Sequence, residues 1–419
     1  MKKNKIFIQI ASYRDSQLLS TLKDCIKKAK YPKNLVFSIA WQHSEDDKWD
    51  DLSEYKDDKR FKIIDIPYME AQGVCWARNK LQQQYDGEEY TLQLDSHHRF
   101  TTNWDAELIT MYKNLQEVGY KKPLLTGYIP SYEPSTDPKG RVHEPWRMNF
   151  DRFSPEGVVH FLPATMDGHN DLTLPEPARF YSGHFTFTSG NFVKEVPHDP
   201  NYYFHGEEIS LAVRAYTWGY DLFHPHKVIM WHEYTRNGKV KHWDDSKDWF
   251  VKNEGSFKRN RKLFGMDGEE QDVDFGPYGF GHVRSLEDYE RYSGLSFKRR
   301  SVQQYTLDKG IPPNPIIENN EEYEASFVQM FKHCIDIGYD LVPEKDYDFW
   351  VVAFHKEGEG DTTLYRKDAD INEINSMMKD PDGYCKIWRE FQTTIHPKYW
   401  VVWPHSKSKD WCERITGNL

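Results

Sequence analysis

The sequence predicts an α/β protein, with a mostly parallel central sheet over residues 1–300 and a small α+β or β-rich module at the C-terminal end. Three observations carry this. Short apolar runs alternate with helical-period segments in the first third of the chain, the pattern of a parallel sheet with helices on its faces. Pro312, Pro313 and Pro315 punctuate the chain ahead of its last hundred or so residues. Two strongly aromatic runs, DFWVVAFHK and KYWVVWPHS, follow them. At 419 residues the chain is too long for one ordinary core, and it divides into residues 1–300, a linker over 301–315 and residues 316–419.

The elements follow in order. KIFIQIA is a strand, and Asp15 or Ser16 can cap the next helix, where Leu18, Leu22, Cys25, Ile26 and Ala29 recur at helical spacing. LVFSIAW and FKIIDIP are the second and third strands. A helix through Val74, Ala77 and Leu81 leads to YTLQLD, the fourth strand, and PLLTGY is the fifth. Residues 129–179 are rich in proline, glycine and charge and show little periodicity, which predicts a long functional loop. Beyond them FTFTSGNF is a strand and turn, EEISLAVRAYTWG a helix and KVIMWHEYTR a strand-like segment. After the prolines, Tyr323 to Ile337 has the spacing of an amphipathic helix. In open sheets, ligands bind beyond the carboxyl ends of the strands. Ser12, Tyr13 and Arg14, Gln42 and His43, and Asp95, Ser96 and His97 occupy those ends.

Composition excludes several function classes. Hydrophobic residues make up 38% and charged ones 29%, as in folded soluble proteins. The aromatic content of 15% supplies rings that can stack on sugars or bases, although most large rings build cores. A net charge of −11 argues against nonspecific nucleic-acid binding and against a polybasic membrane anchor. No window approaches the ~18 apolar residues of a membrane span, and the N-terminal apolar run is too short for a signal peptide. The five cysteines, Cys25, Cys75, Cys334, Cys385 and Cys412, are scattered and odd in number, which fits reduced thiols and a cytoplasmic location.

The chemistry concentrates in YTLQLDSHHRF. In extended chain, positions i and i+2 point to one side, so Asp95 and His97 can converge on one ion. A carboxylate with an imidazole suits Mn²⁺ or a similar divalent cation such as Mg²⁺, which would neutralise a diphosphate leaving group. A polar strand end is the plainer alternative. Upstream, AQGVCWARN places Arg78 and Asn79 early in a helix, with Gly73 permitting close backbone approach and Arg78 able to grip phosphate. Arg14 is a second cation near the same edge. Downstream, Glu207 and Glu208 open a helix, where the dipole favours carboxylates even as plain caps. His232 ends a later apolar run and is a candidate third ligand, or a buried histidine satisfied by a carbonyl.

Together ASYRD, AQGVCWARN, LDSHHRF, FTSGNF, HGEE and YGFGHVRSLEDYERYSG resemble the UDP-GlcNAc-dependent α-N-acetylglucosaminyltransferases, whose eukaryotic members modify hydroxyproline on Skp1. The resemblance covers roughly residues 5–298. More distantly, the DSH, the acidic pair and the late histidine are similar to those of the mucin-type polypeptide GalNAc-transferases. It implies a GT-A-type nucleotide-sugar-binding domain, a metal held by Asp95, His97 and His232, and retaining transfer of GlcNAc or a similar N-acetylhexosamine from a UDP-sugar. The acceptor is a hydroxyl on a protein or a glycan. Ser12, Tyr13, Arg14, Arg78, Asn79, Asp95 and Ser96 are then expected to contact the donor, with Arg78, Glu207 and Glu208 taking part in catalysis. His98 leaves the ligand choice within the motif open, and residues 316–419 match neither family. That module is expected to serve acceptor binding or self-association. The competing classes are a noncatalytic glycan-binding protein, suggested by the aromatic strands, and a metal-dependent phosphoester hydrolase, which usually assembles more ligands.

Overall fold

The computed structural model describes residues 2–236, 238–268 and 274–419. The chain forms two compact units, one of residues 1–299 and 305–316, the other of residues 300–304 and 317–419. The segment expected as a linker carries a strand, Ser301–Gln303, and a short helix, Gln304–Leu307.

In the first unit the strands are, in chain order, β1 (Lys2–Tyr13), β2 (Leu35–His43), β3 (Phe61–Pro67), β4 (Glu88–Asp95), β5 (His98–Phe100), β6 (Pro123–Thr126), β7 (Trp146–Phe153), β8 (Val159–Thr165), β9 (Glu176–Pro177), β10 (Phe185–Ser189), β11 (Asp221–His224) and β12 (Met230–His232). Eight of them form one sheet in the order β3-β2-β1-β4-β10-β6-β11-β9. β1 to β4 run parallel, and β10 enters antiparallel between β4 and β6. This is the α/β architecture that the sequence predicts.

The near-continuous burial of β2 and of the middle of β1 explains their uninterrupted apolar runs, because a central parallel strand is covered on both faces. Helices α1 (Leu18–Lys28), α2 (Val74–Gln82) and α3 (Trp104–Glu117) supply those covers, and α4 (Glu207–Thr217) follows the antiparallel strand. Leu18, Leu22 and Cys25 of α1 pack with Ile8, Phe37 and Leu92 of the sheet and Trp104 of α3 in one apolar cluster. Gly73 precedes α2 at φ 113°, and a Cβ there would lie 2.8 Å from the Tyr203 ring, so only glycine lets the chain turn into α2 at this point.

Two expectations differ from the structure. Residues 129–179 are not without secondary structure: they hold the antiparallel hairpin β7–β8, whose register shifts between Phe150 and Arg152. That irregularity interrupts the alternation by which a strand pair is recognised in sequence. The expected amphipathic helix Tyr323 to Ile337 is instead a short helix, Asn320–Ala325, and a long strand, Phe327–Gly338. Phe327, Phe331 and Ile335 are buried at a spacing of four, which satisfies a period of two as well as one of 3.6. Aromatic and β-branched residues at those positions favour the strand.

The second unit packs two antiparallel sheets. One pairs Phe327–Gly338 with Tyr384–Thr393, and the other is centred on the aromatic strands Tyr347–His355 and Tyr399–Ser406. Trp350, Phe354, Ile335 and Ile387 lie in its core.

Within the first unit Phe187 is fully buried beside Tyr90, with ring centroids 5.5 Å apart. Phe187→Ala is expected to destabilise this unit by about 3–5 kcal/mol, the cost of an unfilled aromatic cavity. Urea unfolding followed by tryptophan fluorescence checks it.

Candidate active site

Five chain segments meet at the carboxyl edge of the sheet. β1 and β4 are in parallel register with Ala11 opposite Asp95, so the residues following each strand emerge side by side. β12 pairs antiparallel with β5, setting His232 opposite His98 and bringing a residue from far along the chain beside the Asp95–His97 turn. α2 delivers Arg78 and α4 delivers Glu207 and Glu208. They surround a cavity of about 460 Å³ lined by Tyr13, Asp95, His97, Glu208 and His232, with Phe204 and Trp243 among its remaining walls.

Asp95, His97 and His232 each offer a ligand atom within 4.8 Å of the others. Asp95 Oδ2 lies 3.7 Å from His97 Nε2 and 3.4 Å from His232 Nε2. Asp95 Oδ1 accepts from Arg78 Nη2 at 2.8 Å. Burial pushes the Asp95 carboxyl up, but the Arg78 guanidinium and then His97 outweigh it and hold the group below its usual range. Burial also holds His232 well below the ordinary imidazole range, so it presents the neutral ring that binds metals. One carboxylate and two imidazoles beside a cavity fit a divalent cation with positions left open.

His97 is oriented by a residue whose place in the sequence suggests only a helix cap. Asp15 is buried, and its Oδ2 lies 2.6 Å from His97 Nδ1 and accepts from Ser96 Oγ at 2.7 Å. Burial works against its charge, yet His97, and then Arg236, keep its pKa well below the usual value. This is the carboxylate–histidine arrangement that fixes which ring nitrogen is free to ligate. The register that brings Asp15 to His97 joins residues 82 apart, so no local signal marked it beyond its place just after the first strand.

The remaining predicted residues separate into two groups. Arg78, Tyr13, Ser96, Glu207 and Glu208 line the cavity with the three candidate ligands, whereas Ser12, Arg14 and Asn79 are outside its lining. Arg14 is drawn away by carboxylates: Nε donates to Asp47 at 2.7 Å and Nη1 to Asp245 at 3.0 Å. Asn79 donates to the His198 carbonyl at 2.8 Å, and Ser12 is fully buried. Within the motif, His98 lies behind the site, where its Nε2 accepts from the Asp95 backbone N–H at 3.3 Å. His184, which the sequence reading missed, stacks on His232 at 4.2 Å between centroids.

The acidic pair divides as well. Glu207 is tied down, accepting from Arg78 Nη1 at 2.8 Å and from the Cys75 thiol at 2.5 Å. Glu208 accepts only neutral donors, the Gly183 N–H at 2.8 Å and the Tyr128 hydroxyl at 3.0 Å. Burial dominates and pushes its pKa up to about 7. The protein thus holds a carboxyl that changes charge near neutrality at the wall of the cavity.

The family model described as Glycosyltransferase (GlcNAc) matches residues 5–62 and 51–299, well over half of the chain. The chain belongs to this family. No curated protein matches the sequence. Among solved structures, GalNAc-T7 with UDP, GalNAc and Mn²⁺ is similar at a TM-score of 0.47 and 16% identity, over 68% of this chain and 54% of that one. TarS 1-349 of S. aureus with UDP-GlcNAc has a TM-score of 0.38 and 13% identity, over 65% and 68% of the two chains. The mannosyltransferase PcManGT from Pyrobaculum calidifontis, with GDP-Man and Mn²⁺, has 0.36 and 11%, over 62% and 71%. The present glycosyltransferase thus spans about half the length of GalNAc-T7.

Two outcomes follow from this geometry. Asp15→Asn is expected to weaken Mn²⁺ binding by about 10- to 100-fold while the protein stays folded, as measured by calorimetry. Glu208 carries a pKa raised from 4.5 to about 7, so its ionisation costs more in the folded state. The parent should lose stability relative to Glu208→Gln as pH rises from about 4.5 to about 7, with no further loss above. Thermal melts of both proteins across pH 4 to 9 check the sign.

Proposed function

We propose that this glycosyltransferase moves GlcNAc, or a similar N-acetylhexosamine, from a UDP-sugar to a hydroxyl on a protein or glycan, with retention of the anomeric configuration. The observation that carries the reading is the carboxylate and paired imidazoles, Asp95, His97 and His232, at the cavity on the carboxyl edge of the sheet. The family supports the sugar.

Breaking the bond from C1 of the sugar to the diphosphate leaves positive charge on the ring and negative charge on the departing UDP. A divalent ion, Mn²⁺ or Mg²⁺, bound by the three ligands would act as a Lewis acid toward that diphosphate. The chain's own residues do the rest. Arg78, with both Nη atoms engaged, holds Asp95 and Glu207 in place, so it positions ligands more than it grips phosphate. Asp15 fixes the His97 ring through Nδ1, leaving Nε2 for the cavity side. Glu208 is the acidic residue assigned to a sugar hydroxyl, because a peptide N–H and a phenol hold it, whereas Glu207 is held by the Arg78 guanidinium and Cys75. Tyr13 walls the nucleotide end, its hydroxyl fixed on Asp245 at 2.7 Å. The second unit is proposed to act outside the chemistry, in acceptor handling or self-association.

A screen of UDP-sugars with Mn²⁺, reading UDP release and product mass, tests the reading. UDP-GlcNAc is the expected donor, and Asp95→Ala and His232→Ala should each lower transfer by at least ~100-fold, the scale of losing a transition-state electrostatic contact. Undiminished transfer in EDTA would refute the metal assignment, and a preference for GDP- or CMP-sugars would refute the donor.

A further inference from the structure

We propose that the strand Tyr384–Thr393 is a self-association surface, on which a second copy of this chain adds its own Tyr384–Thr393 strand antiparallel about a two-fold axis at Trp388. The strand ends its sheet. It pairs with Phe327–Gly338 along one side, in unbroken antiparallel register from Gln329 opposite Thr393 to Gly338 opposite Tyr384, and among the described residues it pairs with no strand along the other. The Trp388 carbonyl also accepts from Arg389 Nη1 at 2.8 Å.

Soluble proteins blunt such edges with short strands, proline or bulges. None of these is present over the ten residues YCKIWREFQT. Charge is the device used here: Arg389 is buried, held by Glu373 and the Lys367 carbonyl, and its guanidinium on the Trp388 carbonyl must swing aside for a strand to pair there, while the outward charges favour a copy of the same strand. Cys385, Ile387 and Phe391 turn into the core, while Tyr384, Lys386, Trp388, Glu390 and Gln392 face solvent. Trp388 is 59% exposed and Tyr384 50% exposed, large rings on a face otherwise polar.

A two-fold axis at Trp388 sets each residue opposite the one equally far on the other side. Lys386 of each copy then meets Glu390 of the other, Tyr384 meets Gln392, and the two Trp388 rings meet each other. Moving the axis by two residues in either direction sets Lys386 against Lys386 or Glu390 against Glu390, and like charges directly opposite destabilise a strand pair. Of these three registers the one centred on Trp388 is favoured, and it is also the one that sets Lys386 opposite Glu390. Within one copy, Lys386 lies 3.1 Å from Asp382, and Glu390 lies 3.5 Å from Lys332. These pairs are solvent-exposed and weak, and they leave both side chains able to engage a second copy.

The test is sedimentation equilibrium of the full chain. The parent is expected to dimerise in the micromolar range. Lys386→Glu and Glu390→Lys should each raise the dimer dissociation constant by at least about tenfold, because each creates two like-charge pairs across the axis. Mixing the two single variants should restore association, since every facing pair is then opposite in charge. Circular dichroism of each variant confirms that it folds. A monomeric parent, single variants that dimerise as tightly as the parent, or a mixture no tighter than its components would each overturn the proposal. Recovery on mixing cannot arise from a folding defect, because each partner enters the mixture with its own substitution.

Discussion

The site depends on one buried cation and the carboxylates that neutralise it. Arg78 is almost wholly buried, and its guanidinium is divided between Asp95 at 2.8 Å and Glu207 at 2.8 Å. A guanidinium this deep is tolerable only with both partners, since removing one partner of a buried pair costs about 3–5 kcal/mol. The same bond fixes Asp95 at the end of β4, where its second oxygen faces His97 and His232. The charge balance that makes the core tenable therefore also aims the carboxylate of the candidate metal site. Asp15 repeats the device one layer back, a buried carboxylate whose stability depends on the imidazole it orients.

The two adjacent glutamates show how far local surroundings separate chemically identical groups. Both open the same helix, yet Glu207 faces a guanidinium and Glu208 faces a hydroxyl and a peptide N–H. Burial pushes the Glu208 pKa up to about 7. In the sequence they are simply two acids at a helix N-terminus, and what distinguishes them is that Arg78 and Cys75 of α2 reach Glu207 while Gly183 and Tyr128 reach Glu208.

The central sheet and the Asp95–His97 pair were legible because both follow from local periodicity: uninterrupted apolar runs for two-faced burial, and i, i+2 spacing at a strand end. His232 was legible as the polar end of an apolar run, although its place opposite His98 depends on pairing across more than a hundred residues. The fate of Arg14 was not legible. Its acidic partners, Asp47 and Asp245, lie 33 and 231 residues away, and no local signal marks either of them. Asp15 failed in the opposite sense, because a residue suited to capping a helix also reached a histidine in a neighbouring strand turn. In the second unit, the misread segment had its buried residues four apart, a spacing that cannot by itself separate helix from strand.

The most direct test of the account is pulsed electron paramagnetic resonance of Mn²⁺ added to the protein with UDP-GlcNAc. Two directly bound imidazole nitrogens are predicted for the parent and one for His232→Ala. A nitrogen-free Mn²⁺ spectrum in the parent, with the sugar nucleotide bound, would contradict the assignment of Asp95, His97 and His232 as the metal-binding centre.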